Sequence, residues 1–320
     1  MNMSGTVIDV QGLVKTYHGE PAVDRLTLEV PRGSVYGLLG ENGAGKTTTI
    51  QTLLGLVRPD SGRVQVLGLD PTRHGLEVRR RVGYVPEVPV LYEGMTVAEI
   101  GWFASGFHPD GQGSTLAYRA RYDEAVAGFD LPFHRKIKTL SKGMRAKISL
   151  ALALASDPEV LILDEPTSGL DLLVRLEFLE SMVDRAGEGR TVLLSSHQIG
   201  EVERVASHVA LLRKGRLILA EPIDDLKATT FVLALTFASR DHPVAPDGFG
   251  LELIDASDAP RQARWLVRAR DRAACESTRG MPGVEGLEIE SPSLEEIYVG
   301  YMRSRRPVVP PGPRVASIVA

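Results

Sequence analysis

The residues best suited to chemistry are Gly40, Glu41, Asn42, Gly43, Ala44, Gly45, Lys46 and Thr47, which fit the pattern G-x-x-x-x-G-K-[ST]. The pattern suits a phosphate. Glycines let the backbone turn tightly so that several N–H groups aim at one point, Lys46 brings a full positive charge, and the Thr47 hydroxyl is a ligand for Mg²⁺. Farther along, Asp164 and Glu165 follow the apolar run Val160, Leu161, Ile162 and Leu163. Stability does not explain two adjacent carboxylates at the end of a buried strand, because buried charge is costly unless paired or metal-bound; Mg²⁺ is the better account. His197 comes after a second buried strand at 191–194 and the pair Ser195 and Ser196. Ser141 opens a helical pattern, so its hydroxyl is either a helix cap alone or one side of an anion site.

These groups need elements that place them together. A short apolar run at 35–39 precedes the glycine-rich loop, and Ile50, Leu53, Leu54 and Val57 recur at helical spacing across 46–57. The loop therefore opens onto a helix N-terminus, whose partial positive charge favours anions. The run at 160–163 is apolar throughout, as in a parallel strand covered on both faces, and 191–194 reads as a second buried strand. That puts the loop, Asp164 and His197 at one edge of a parallel sheet, where such sheets bind ligands. Ahead of the loop, residues 6–30 alternate around turn signals at Gly12 and at 18–21, predicting antiparallel strands. Tyr17, beside the second turn, is either core packing or a ring for a flat base. Residues 59–62 form a turn, and strands follow at 64–67 and 82–85, the second ended by Pro86 and Glu87. From 88 to 156 the pattern becomes helical. Thr96 and Glu99 form a capping box ahead of Ile100, Trp102 and Phe103; 108–114 reads as a loop, 118–129 as a helix, and Ser141 starts a helix with Met144, Ile148, Ala151 and Leu152 on one face.

The 320 residues suffice for about two domains. At 43% apolar and 24% charged the composition is that of a globular protein, and a net charge of −4 leaves no footprint for nucleic acid. The single cysteine, Cys275, forms no internal disulfide and has no metal-binding neighbour, which suits a reducing compartment. Residues 1–10 lack a signal pattern and no apolar stretch of about 18 residues occurs, so the chain is expected to be cytoplasmic and soluble by itself.

Taken together, about residues 5–225 resemble the nucleotide-binding subunit of an ATP-binding-cassette (ABC) transporter. Residues 40–47 match its Walker A loop, Leu140, Ser141, Lys142, Gly143 and Met144 its signature motif, and 160–165 its Walker B strand. Residues 168–171 match the D-loop, His197 the switch histidine and Tyr17 the adenine-stacking aromatic. The resemblance implies an α/β fold, the P-loop NTPase cassette: a mostly parallel sheet core, an antiparallel β subdomain and a helical subdomain at about 88–156, all within 5–227. It also implies a homo- or heterodimer facing head to tail. ATP would lie between Tyr17, the 40–47 loop and Thr48 of one chain and Ser141 and Gly143 of the other, with Asp171 contributing from the D-loop. In the roles so implied, Glu165 is the general base, Asp164, Thr47 and Glu87 serve Mg²⁺, His197 contacts the γ-phosphate, and Lys46 neutralises developing charge.

Two departures stand out. The signature reads LSKGM rather than LSGGQ, so Lys142 replaces a glycine, and Glu87 stands where many relatives have a glutamine. With Leu91 and Tyr92 these features resemble the ABC-2 type exporter group, whose ATPases serve drug, antibiotic, lipid and polysaccharide permeases. The implied partner is an integral membrane permease, which would hold the chain on the inner face of the cell membrane; no nucleic acid is expected. Leu91, Tyr92, Trp102 and Phe103 are candidate permease contacts or else helical core. A hairpin around Lys214 and Gly215 closes the first domain, and 228–303 reads as a small C-terminal α+β domain with a second capping box at Ser293 and Glu296. Residues 304–320, with four prolines, read as a disordered tail. The alternatives are a soluble ABC ATPase acting on ribosomes or DNA, disfavoured by one cassette without a heptad run, and a nucleotide-gated module with little turnover, disfavoured by Glu165 and His197. Cargo is not legible.

Overall fold

The computed structural model describes residues 5–108, 115–167, 170, 172–239 and 249–304. The D-loop residues Ser168, Gly169 and Asp171, most of the 108–114 loop and the tail beyond Ser304 lie outside these. The chain divides between Leu217 and Ile218 into two units.

In chain order the first unit contains β1 (Thr6–Tyr17), β2 (Glu20–Pro31), β3 (Val35–Gly40), α1 (Lys46–Leu53), β4 (Ser61–Val66), α2 (Pro71–Arg81) and β5 (Val82–Val85). There follow α3 (Val97–Ser105), α4 (Thr115–Gly128), α5 (Lys142–Ala155), β6 (Val160–Asp164), α6 (Leu172–Gly187), β7 (Thr191–Ser196), α7 (Ile199–Val205) and β8 (His208–Arg213). The chain passes out of the unit within β9 (Arg216–Pro222).

Strands β2, β1 and β4 form the expected antiparallel sheet, in which Ile8 pairs with Val30 on one side and Val66 on the other. Gly12 is not a turn. It sits at φ 59 inside β1, where the register slips between Val10 and Leu13, and its N–H reaches Thr27 Oγ1 at 3.0 Å. The glycine makes a bulge that lets one long strand continue.

The second sheet runs in the order β5-β6-β7-β3-β8-β9, and the β5–β6, β6–β7, β7–β3 and β3–β8 pairings are parallel. Its register matters for function. Ser195 pairs with Asp164 on one side and Leu38 on the other, so β3, β6 and β7 end at one edge. The aliphatic runs feeding that edge are almost wholly buried, as strands covered on both faces must be.

Helix α1 stops at Leu53, short of the expected Val57, because Gly55 turns left-handed at φ 67 and a side chain there would meet Pro71 O at 2.3 Å. Helix α2 has no counterpart in the sequence reading. It has few apolar residues, and its start is marked by Asp70, whose carboxylate accepts from Thr72 N at 2.8 Å, and by Pro71 in the first turn. Helices α3, α4 and α5 enclose Val97, Ile100, Tyr118, Tyr122, Val126 and Ile148. The phenols are satisfied: Tyr118 donates to Leu152 O at 2.9 Å and Tyr122 to Val97 O at 2.8 Å. The capping box at Thr96 and Glu99 is present.

The second unit contains α8 (Ile223–Ala228), β10 (Thr230–Phe237), β11 (Glu252–Ala259), β12 (Gln262–Arg268), α9 (Arg272–Glu276), β13 (Val284–Glu290) and α10 (Leu294–Arg303). Its antiparallel sheet, ordered β11-β12-β10-β13, packs Trp265, Phe237, Leu233 and Leu235 with Cys275. Helix α10 starts on the capping box of Ser293 and Glu296. Residues 218–227 go with this unit: Arg268 reaches both Glu221 oxygens, at 2.5 and 2.7 Å, and Thr229 Oγ1 at 2.8 Å. Among the described residues no helix is long and apolar enough to cross a membrane.

Candidate active site

The phosphate loop bridges β3 and α1. Gly43 and Gly45 lie at φ 81 and φ 100, a region costly for other residues, and a side chain on Gly45 would meet Ala22 O at 2.4 Å. Gly45 is also the N-cap of α1 and offers no side chain to it, leaving the first N–H groups for an anion. Lys46 is buried, with Nζ donating to Gly40 O at 2.7 Å and lying 3.1 Å from Glu165 Oε1.

Asp164 is 2% exposed at the end of β6. It accepts from Thr47 Oγ1 at 2.9 Å and from Ser195 Oγ at 2.5 Å. Burial, and then the nearby Asp164, push the Tyr84 hydroxyl up to about 12. One fixed carboxylate beside one hydroxyl at the edge of a phosphate loop is a hard oxygen donor set, and it fits Mg²⁺ sharing its other ligands with phosphates and water. Glu87 is exposed beyond β5. Among the described residues no three or more His, Cys, Asp or Glu side chains are grouped for a metal.

Glu165 has a left-handed backbone, φ 48, which costs a non-glycine residue about 1 to 2 kcal/mol. The conformation is held on every side. Its N–H points to Ser195 O at 3.1 Å and Ser195 Oγ at 3.2 Å. Oε2 accepts from His197 N at 3.1 Å and contacts His197 Nδ1 at 2.7 Å. Oε1 has an ion-pair distance to Lys46 but no hydrogen bond of good direction. A buried carboxylate so placed has a lone pair to spare. Half of the His197 side chain is exposed, so the pair opens to solvent on the histidine side.

Residues from 40–47, 164–165 and 197 thus meet at one edge, as their motifs require. Tyr17, at the end of β1, is 41% exposed with Lys15 Nζ 5.4 Å from its ring centre; of its two readings, core packing is excluded. Thr48 is half-buried in α1. Ser141 caps α5, accepting from Met144 N at 3.2 Å, and a Cβ on Gly143 would make ordinary contact with Val174 at 3.6 Å; among the described residues neither is hydrogen-bonded to the phosphate loop. Lys142 and Glu87, the two unusual residues, line one cavity of about 270 Å³ with Pro86, Leu140, Pro166 and Leu170. Ser195 is a site residue that the motifs passed over; a small polar residue ending an apolar strand is its only mark.

Comparisons agree with this geometry. The ABC transporter family profile matches residues 23–168. The daunorubicin resistance ATP-binding protein DrrA3 of Streptomyces coeruleorubidus is 39% identical, over 71% of this chain and 72% of that protein. The daunorubicin/doxorubicin resistance ATP-binding protein DrrA of Streptomyces peucetius is also 39% identical, over 93% of both chains. A solved ATP-binding subunit of an ABC transporter superposes on 69% of this chain and 92% of its own, with a TM-score of 0.64 and 31% identity. Likeness over 93% of both chains, and not over the phosphate loop alone, is the mark of common descent: the chain belongs to the ABC transporter family, as an ATP-binding and ATP-hydrolysing subunit.

Proposed function

We propose that the chain works as one of two ATP-binding subunits that drive a membrane permease of the export type. The observation that carries the hydrolytic part is Glu165, whose carboxylate lies 3.1 Å from Lys46 Nζ and 2.7 Å from His197 Nδ1. In this reading the loop N–H groups and the α1 terminus take the β- and γ-phosphates. The γ-phosphate competes with Glu165 for Lys46, so substrate binding releases the carboxylate to act as a base. Glu165 then accepts a proton from the attacking water, and His197, placed by its contact with Glu165, holds the water and γ-phosphate in line. Thr47 and Asp164 would hold Mg²⁺, which would supply charge stabilisation to the phosphates. Ser141 and Gly143, with hydroxyl, N–H groups and the α5 dipole, serve the nucleotide of the facing subunit.

The export part rests on the two relatives, both named for drug resistance. A surface to meet a permease is available. Tyr92 and Trp102 are 58% and 63% exposed, and Phe103 stacks edge-on with Tyr92 and Phe107 at 5.1 and 5.3 Å. Such an exposed apolar cluster suits a partner. Leu91, by contrast, packs on the helical core. The test is to tag the chain in its source cells, solubilise membranes in mild detergent and identify what co-purifies. A multi-span permease is expected; a soluble chain bound to ribosomes or DNA overturns the export reading.

A further inference from the structure

Behind the Glu165–His197 contact lies a second polar group made of residues that no motif singled out. Glu201, on α7, is buried. Its Oε2 accepts from the Thr167 hydroxyl at 2.6 Å and its Oε1 lies 3.0 Å from Arg175 Nε. The Arg175 fork, on α6, donates from Nη1 to Gln198 Oε1 at 2.8 Å and from Nη2 to Leu170 O at 3.2 Å. Thr167 follows Glu165 by two residues, and Gln198 follows His197 by one. The path Thr167–Glu201–Arg175–Gln198 therefore closes a ring with Glu165–His197 and ties the two flanks together from the rear.

Two features set this group apart from an ordinary ion pair. Among the described residues, only three buried side-chain nitrogen or oxygen atoms lack a well-directed hydrogen bond: Glu165 Oε1, Arg175 Nε and Glu201 Oε1. All three face an opposite charge at 3.0 or 3.1 Å, so imperfect polar satisfaction is confined to the site and its rear support. A buried ion pair, moreover, is a poor source of stability compared with apolar packing. What this one does supply is fixed direction, since a guanidinium holds three partners in one plane as a lysine cannot.

We propose that Arg175 and Glu201 are positioning residues for hydrolysis, which set the Glu165–His197 geometry by clamping Thr167 to Gln198. The inference rests on the reading of Glu165 and His197 as the hydrolytic pair. Misplacing a reacting group by about 1 Å costs on the order of 100-fold in rate. Arg175→Met is therefore expected to lower kcat by about 10- to 100-fold, with the KM for ATP changed less than about threefold because the phosphate loop is untouched. Arg175→Lys keeps the charge toward Glu201 but loses the fork, and is expected to recover only part of kcat. The imidazole NMR signals of His197 are expected to shift in both variants. Gln198→Leu, at a half-buried position, removes one contact and guards against misfolding: kcat is expected to fall about 3- to 10-fold with the melting temperature unchanged. Native kcat and unshifted His197 signals in Gln198→Leu, or in a folded Arg175→Met, overturn the clamp. Glu165→Gln, assayed beside them, tests the underlying reading on its own: native turnover there removes the pair, whereas loss there with unaffected Arg175 and Gln198 variants removes only the clamp.

Discussion

Glu165→Gln is the most informative perturbation of the site. The two side chains have one shape, so the effect is chemical. Oε2 takes both contacts from His197, at 3.1 Å to N and 2.7 Å to Nδ1, and a Gln carbonyl oxygen placed there keeps the N–H bond. The amide nitrogen then replaces Oε1, 3.1 Å from the Lys46 ammonium, and two donors face each other. The variant thus loses the proton acceptor and its charge while the loop glycines and Lys46 stay in place. Loss of a positioned general base costs about 10² to 10⁴ in rate, or about 3 to 5 kcal/mol at 1.36 kcal/mol per factor of ten. ATP affinity is expected to hold or rise, because Lys46 no longer has a carboxylate competing for it. Phosphate release at saturating ATP, with nucleotide affinity from a fluorescent analogue and a melting curve as control, measures all three quantities. A folded, ATP-binding Glu165→Gln protein with native turnover refutes the assignment of Glu165 as base.

Three further outcomes follow from the packing and charge around the site. Gly37 in β3 has no strained φ, but a Cβ there meets Val202 Cγ1 of α7 at 2.2 Å; Gly37→Ala is expected to destabilise by about 1 to 3 kcal/mol through overpacking, and Gly37→Ala with Val202→Ala to regain most of it in thermal melts. The Arg81 guanidinium, at 2.6 Å, holds the Glu159 carboxyl below its ordinary 4.5. The unfolded chain binds the proton more tightly, so this stability is full above about pH 4.5 and is lost as pH falls through the lowered folded value; Glu159→Gln is expected to melt below the native protein at neutral pH, with the gap closing in acid. Trp102→Ala, at an exposed position, is expected to change stability by less than about 0.5 kcal/mol while reducing recovery of the permease in detergent pull-downs.

Legibility in the sequence followed the range of the physics. The phosphate loop is one local turn feeding one helix, and its glycines are dictated within eight residues; both capping boxes are equally local and both formed. Asp164 and His197 were visible because each follows a stretch that reads as a buried strand, yet their meeting depends on the Asp164–Ser195–Leu38 register across β6, β7 and β3, which one sequence does not carry. Helix α2 buries only Pro71 and Val78, so few apolar residues announce it, although Asp70 and Pro71 mark its start. Gly12 read as a turn since a bulge and a turn ask the same thing of a residue, a positive φ. Arg175 and Glu201 look like solvated helix charges until folding brings α6 and α7 together.

The strain at Glu165 explains why so much polar apparatus gathers at one sheet edge. At φ 48 the residue leaves the strand direction of β6 and turns its carboxylate toward both Lys46 and His197. A strand continued in the ordinary way alternates its side chains across the sheet, so it could not give Asp164 to Thr47 and the very next residue to Lys46. The left-handed step is what lets two consecutive carboxylates serve one site. Such a step persists only where its surroundings over-determine it, and here Ser195 fixes its N–H by two oxygens while also holding Asp164 Oδ1. Ser195 is thus the hinge pin of the arrangement: the same hydroxyl that donates to the Asp164 carboxylate meets the N–H of Glu165. The different partners of the two carboxylates therefore originate in the backbone, ahead of any difference between the side chains of aspartate and glutamate.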